Sequence, residues 1–193
     1  MAGISADSLM TLEAYARERG AFRARVIEHK KRRTVHLGEH VTLLFEDELT
    51  IRYQVQEMLR IERIFEADGI QQELEAYNPL IPDCGNWNAT MLIEYPDAEE
   101  RRRKLGQLKG VEREVWVRVE GQGRVLAIAD EDLERENEDK TSSVHFLRFE
   151  LDAQMRRALK DGAGLAMGVD HPEYRAELAV APEVRASLAA DLA

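Results

Sequence analysis

The segment Ser142-Ser143-Val144-His145-Phe146-Leu147-Arg148-Phe149-Glu150-Leu151 sets an imidazole among apolar side chains. Read as a strand, its side chains alternate between two faces, so His145 shares one with Leu147, Phe149 and Leu151. A histidine on such a face either finds a hydrogen-bond partner or serves as a ligand or proton carrier. Glu57 poses a similar question on a helix. Gln54, Glu57 and Ile61 fall on one stripe, and Tyr53, Glu57 and Arg60 on the next, so this carboxylate borders the apolar face. A carboxylate there needs a cationic partner, a proton or a metal ion, and Arg60 and Arg63 are close enough in sequence to neutralise Glu57 and Glu66.

Glu46, Glu94 and the Asp170-His171-Pro172 turn complete the set of possible ligands. Carboxylates with one or two histidines suit iron, manganese or zinc. The expected metal set is Glu46, Glu57 and His145, and the cations expected to bind a small anion are Arg60, Arg32 and Arg33. No catalytic residue is assigned. His36 and His40 flank Gly38 in a turn and read as surface histidines. The one cysteine, Cys84, sits in the loop Pro82-Asp83-Cys84-Gly85; a single thiol excludes an internal disulfide and any multi-cysteine metal site within the chain. There is no P-loop, nucleophile elbow, His-Glu-x-x-His or Glu-x-x-His. Gly121-Gln122-Gly123 joins two strands rather than a strand and a helix, so it reads as a hairpin and not a dinucleotide fingerprint.

The elements that must position these groups follow from periodicity. Residues 8–32 read as a helix with Gly20 as a kink, 48–66 as a second with Ile51, Val55, Met58, Leu59, Ile61 and Phe65 on its apolar side, and 70–77 as a short third. His40–Glu46 reads as a strand. Beyond Pro82 the period becomes two, with strands expected at 89–95, 114–120, 124–130, 144–151, 163–169 and 175–180 and short helices at 98–108, 153–160 and 182–192. The expected fold class is α+β, a helical N-terminal half (about 1–82) packed on a mainly antiparallel sheet of about six strands (about 83–193) in a single domain.

With 193 residues the chain has room for one domain. Its 27 Lys and Arg against 37 Asp and Glu give a net charge of -10, which argues against nucleic acid and anionic membranes as partners. No apolar run approaches a membrane span and no leader pattern opens the sequence, so the expected location is cytoplasmic. The charge is uneven. Residues 1–35 hold eight basic and four acidic groups, a balance of +4, and the remainder holds 19 basic and 33 acidic, a balance of -14. Residues 130–139 alone carry seven acids and one base. Solvated faces and a basic surface for an acidic protein or a phosphate both fit this pattern.

Several segments resemble an uncharacterised bacterial family catalogued as a domain of unknown function: Glu28-His29-Lys30-Lys31-Arg32-Arg33, Leu43-Leu44-Phe45-Glu46-Asp47, Tyr53 through Glu62, Tyr77-Asn78-Pro79-Leu80-Ile81-Pro82 and Val144 through Glu150. The resemblance implies a neighbourhood of rubrerythrin-like proteins and iron–sulfur proteins of the heterodisulfide-reductase type, hence a redox or peroxide-stress module, and it supplies no site residues. The expected function is an accessory protein of such a module that binds a metal ion or small anion at the helix–sheet junction. Two alternatives stay open: a scaffold or assembly factor docking an acidic partner through its basic N-terminal helix, and an enzyme acting on a small anionic substrate. A homodimer is also compatible with the sequence.

Overall fold

The computed structural model describes residues 3–129 and 140–193; the acidic run 130–139 lies outside the described residues. Helix α1 spans Leu12–Lys31 and α2 spans Glu48–Glu62, with the strands β1 (Thr34–Leu37) and β2 (Val41–Phe45) between them. Helix α3 (Ala67–Tyr77) leads to β3 (Asn86–Ile93), α4 (Ala98–Gln107), β4 (Val115–Val119), β5 (Arg124–Leu126), β6 (Ile128–Ala129) and β7 (Val144–Glu150). Helix α5 (Ala153–Lys160), the hairpin of β8 (Leu165–His171) and β9 (Tyr174–Ala179), and α6 (Pro182–Ala189) follow.

The class is α+β, as expected, but the strands form two antiparallel sheets rather than one of about six strands. The first has the order β1-β2-β3-β7-β6 and the second β5-β4-β8-β9. Residues 124–129 pass from the edge of one sheet to the edge of the other, with β5 pairing to β4 and β6 to β7. Alternation along each strand gives one apolar face per sheet. Leu43, Phe45, Trp87, Met91, Leu147 and Phe149 of the first sheet join Val115, Val117, Met167 and Val169 of the second in a single buried cluster. Helix α6 closes one end, where the Trp87 indole N–H donates to the Leu188 carbonyl at 3.0 Å.

Strand β1, missed by periodicity because it is only four residues long, pairs with β2 from Thr34↔Leu44 to Leu37↔Val41. The helical and β parts are therefore interleaved in sequence rather than divided near residue 82. Helix α1 runs through Gly20 without a break. It starts at Thr11, whose hydroxyl accepts from the Ala14 N–H. It packs on α2 through Tyr15, Phe22 and Val26, a stripe at helical spacing that meets Leu49 and Tyr53. A third cluster of Ile4, Ile51, Val55, Leu59 and Leu74 joins the N-terminal segment to α2 and α3. Among the described residues no helix is long and apolar enough to cross a membrane.

Candidate functional site

The proposed metal ligands do not meet. Glu46 follows Phe45 in β2, and its N–H continues the ladder by donating to the Asn88 carbonyl at 2.8 Å. Alternation puts its side chain on the outer face with Leu44, where its carboxylate accepts from the Thr90 hydroxyl at 2.7 Å. His145 pairs with Met91 and lies on the opposite, inner face, 2% exposed. Its Nε2 is 3.0 Å from the Ser142 carbonyl and 3.1 Å from the Thr141 hydroxyl. Glu57 is on α2, away from both strands. Among the described residues no group of three His, Cys, Asp or Glu side chains is placed to hold a metal ion. Glu94 is engaged by the Thr42 hydroxyl at 2.8 Å, and His171 Nε2 meets the Lys109 carbonyl at 3.0 Å. His40 stacks on Tyr95 with ring centroids 4.0 Å apart.

Glu57 holds the α1–α2 pair together. Its carboxylate takes Nε and Nη2 of Arg19 at 2.7 and 2.8 Å, the Tyr15 hydroxyl at 2.7 Å and, more loosely, Arg60 at 3.4 Å. The Arg19 bonds outweigh burial and the Tyr15 bond adds to them, so the Glu57 carboxyl falls from 4.5 to about 2. Burial and the same carboxylate push the Tyr15 phenol upward. Arg60 was the expected partner from sequence, but the stronger ones come from α1. The signal was available, since Tyr15, Arg19, Phe22 and Val26 lie on one stripe of that helix.

Of the three cations expected to bind an anion, Arg33 is 1% exposed and fully engaged. Its guanidinium donates to the carbonyls of Phe45 and Glu46 at 2.9 and 3.0 Å and to both oxygens of Asp191 at 2.5 and 3.3 Å. Asp47 stands 3.5 Å from it and 2.5 Å from His29 Nε2. Asp47 also caps α2 by accepting from the Thr50 N–H, while the Thr50 hydroxyl accepts from the Asp47 N–H. The two carboxylates beside Arg33 shift in opposite directions. Burial would raise Asp47, but the Arg33 charge, the Thr50 N–H and His29 lower it. Burial raises Asp191, and Arg33 does not fully offset it because Asp47 repels it. Arg32, one residue earlier, points to water. Arg60 lies near the other end of the α1–α2 pair, about 20 Å away by the helix rise. The three arginines therefore form no common anion site.

What the residues do build is an exposed basic helix beside a groove. Arg17, Arg23 and Arg25 of α1 are exposed with no hydrogen-bond or ion-pair partner among the described residues. Arg32 is exposed near Glu28, which itself binds Lys31 at 2.6 Å. Beside α1 runs a groove of about 930 Å³, lined by Phe22, Leu49 and Ile81 with Arg25 and the carboxylates of Glu18 and Glu48 among its polar groups. Cys84 holds a left-handed backbone, φ 76°, and its carbonyl accepts from Ala193 N–H at 2.8 Å.

A second surface feature lies at the far end of α2. Arg63 adopts a left-handed conformation, φ 57°, and ends the helix. The reversal lets Ile64 N–H bond back to the Leu59 carbonyl and tucks Ile64 against the apolar cluster, while Phe65 swings outward. Ile61 and Phe65, expected on the apolar side of the helix, are 61% and 71% exposed. Phe65 edges a cavity of about 350 Å³ lined by Leu9, Leu12, Leu59, Ile64 and Ile70.

These features define a two-sheet α+β protein with a helical arm that offers a cationic face, a groove and an apolar pocket. Residues 3–192 match the model of the family described as "Protein of unknown function (DUF3501)", and the chain belongs to that family. It is also similar, at 55% identity over 100% of both chains and a TM-score of 0.94, to a crystal structure described as a novel protein of unknown function from Burkholderia pseudomallei K96243. No curated protein matches the chain.

Proposed function

We propose that the chain is an accessory protein that docks an acidic segment of a partner protein along α1. One observation carries this reading: α1 is held through a single stripe, and outside it Arg17 and Arg25 are exposed with no partner among the described residues, with Arg32 exposed one heptad beyond Arg25 on the same side. The side chains proposed from sequence as metal ligands, by contrast, each have hydrogen-bond partners in separate places. Exposed cations on a chain of net charge -10 attract an acidic segment locally while the rest of the surface repels other anions. The family resemblance supplies the first partners to test, a rubrerythrin-like or an iron–sulfur protein of a redox module.

The test is calorimetric titration of such a partner with the intact chain and with the Arg17→Glu, Arg25→Glu, Arg32→Glu variant. Arg33 is left alone because it is buried. The expected result is an affinity that falls as salt rises and is lost in the variant. Equal affinity of variant and parent chain, or binding insensitive to salt, would overturn the reading.

A further inference from the structure

We infer that the cavity beside Phe65 is the apolar anchor point of the same docking surface, taking one large aliphatic or aromatic side chain from the acidic segment that lies along α1; this rests on the docking function proposed above. The first support is a conflict between pattern and burial. By sequence spacing over 48–66, Ile61 and Phe65 fall on the apolar side, the pattern of residues meant to be covered. Yet they are the two most exposed large apolar side chains among the described residues, at 61% and 71%. Phe65 lines a preformed cavity, and a large apolar group exposed at such a site marks an interaction surface more than scattered exposure does.

Shape and lining are the second support. The cavity is lined by Leu9, Met10, Leu12, Leu59, Ile64 and Ile70 with Phe65 at its edge, and Glu13 contributes a carboxylate. About 350 Å³ is room for one large side chain and too little for a helix or a second domain. An apolar socket with a charged neighbour is how a single anchor residue supplies much of the affinity of a peptide contact.

Continuity is the third. Leu12 and Glu13, which line the cavity, are the first residues of α1, and Arg17 follows just over one turn later. From Glu13 at the cavity to Arg32 the helix extends over about 28 Å at 1.5 Å per residue. An extended segment of about nine residues covers that length at roughly 3.3 Å per residue. The partner segment so defined carries acidic residues along its length and one large apolar residue at the end that reaches the N-terminus of α1. Glu13 beside the socket disfavours a further acid at that end, which gives the segment its direction.

The experiment uses two labelled synthetic peptides, eight glutamates followed by tryptophan and eight glutamates followed by serine, titrated by fluorescence anisotropy into the full chain. The tryptophan peptide is expected to bind about tenfold tighter. The variant Phe65→Glu, at a position too exposed to disturb folding, is expected to abolish that difference while salt-sensitive binding of the serine peptide survives. The Arg17→Glu, Arg25→Glu, Arg32→Glu variant is expected to weaken both peptides. Equal binding of the two peptides to the parent chain, or a tryptophan preference that survives Phe65→Glu, overturns the anchor while leaving the docking reading intact. Failure of the arginine variant to weaken the serine peptide, or no binding of either peptide, sinks the docking reading and the anchor with it. Size-exclusion chromatography of the parent chain gives a further check. A dimer that Phe65→Glu disperses would assign the socket to a second copy of this chain and overturn the proposal.

Discussion

Replacing Arg33 by methionine separates the buried arginine from its exposed neighbour Arg32. The guanidinium is 1% exposed and joins three parts of the fold: the α1–β1 turn, which supplies it, the β2–α2 junction, whose Phe45 and Glu46 carbonyls it caps, and the C-terminal end, held through Asp191. Methionine fills similar volume but leaves two carbonyls without that donor and the Asp191 and Asp47 carboxylates without their shared counter-charge. Removing one partner of a buried ion pair typically costs about 3–5 kcal/mol. For a chain of this length each kcal/mol lowers Tm by about 2–4 °C, so a fall of roughly 6–20 °C is expected in a thermal melt followed by circular dichroism. Lysine keeps the charge but cannot reproduce the fork to the two carbonyls and Asp191, so Arg33→Lys should fall between the two. Arg32→Ala should stay within about 0.5 kcal/mol of the parent chain. If Arg33→Met melted within about 2 °C of the parent, the claim that this network clamps the C-terminal end would be wrong.

Three other outcomes are expected. Gly20 lies inside α1, with nothing within 4 Å of where a Cβ would stand, so Gly20→Ala should raise stability by about 0.5–1 kcal/mol in urea titration. Gly168 faces Trp116, and a Cβ there would lie 2.7 Å from the Ala176 carbonyl oxygen, so Gly168→Ala should lower stability by about 1–3 kcal/mol, with loss of near-ultraviolet tryptophan ellipticity. The Glu57 carboxyl sits at about 2, below its ordinary 4.5. Its contribution is therefore complete above about pH 4.5 and lost as pH falls through 2, so the stability gap between the parent chain and Glu57→Gln should narrow over that range. Asp191, raised rather than lowered, contributes with the opposite sign and cannot produce the same trend.

Much of the architecture was legible in local pattern. The helix at 153–160 matches α5, and six of the seven expected strands needed only small boundary shifts, because their alternation sets one face against a core. The expected 124–130 segment instead divides between two sheets. β1 escaped because four residues carry too little period to stand out, and its pairing depends on β2. Grouping by chemical type misjudged the site, since it assigned Glu46 and His145 to one cluster without a register to say which side of the sheet each would face.

The chain by itself determined the α+β class, the basic bias of residues 1–35 and the inward placing of His145, since composition and two- or three-residue periodicities are properties of sequence alone. Only the tertiary structure decided which charges are spent. Arg32 and Arg33 are adjacent and chemically identical, yet one faces water and the other is buried against Asp191, 158 positions away. Ile61 and Phe65 read as core by spacing, yet Ile61 lies off the Ile51, Val55 and Leu59 stripe that α2 buries, and the left-handed turn at Arg63 swung Phe65 outside. Burial and pairing are set by long-range contacts, which no local pattern encodes.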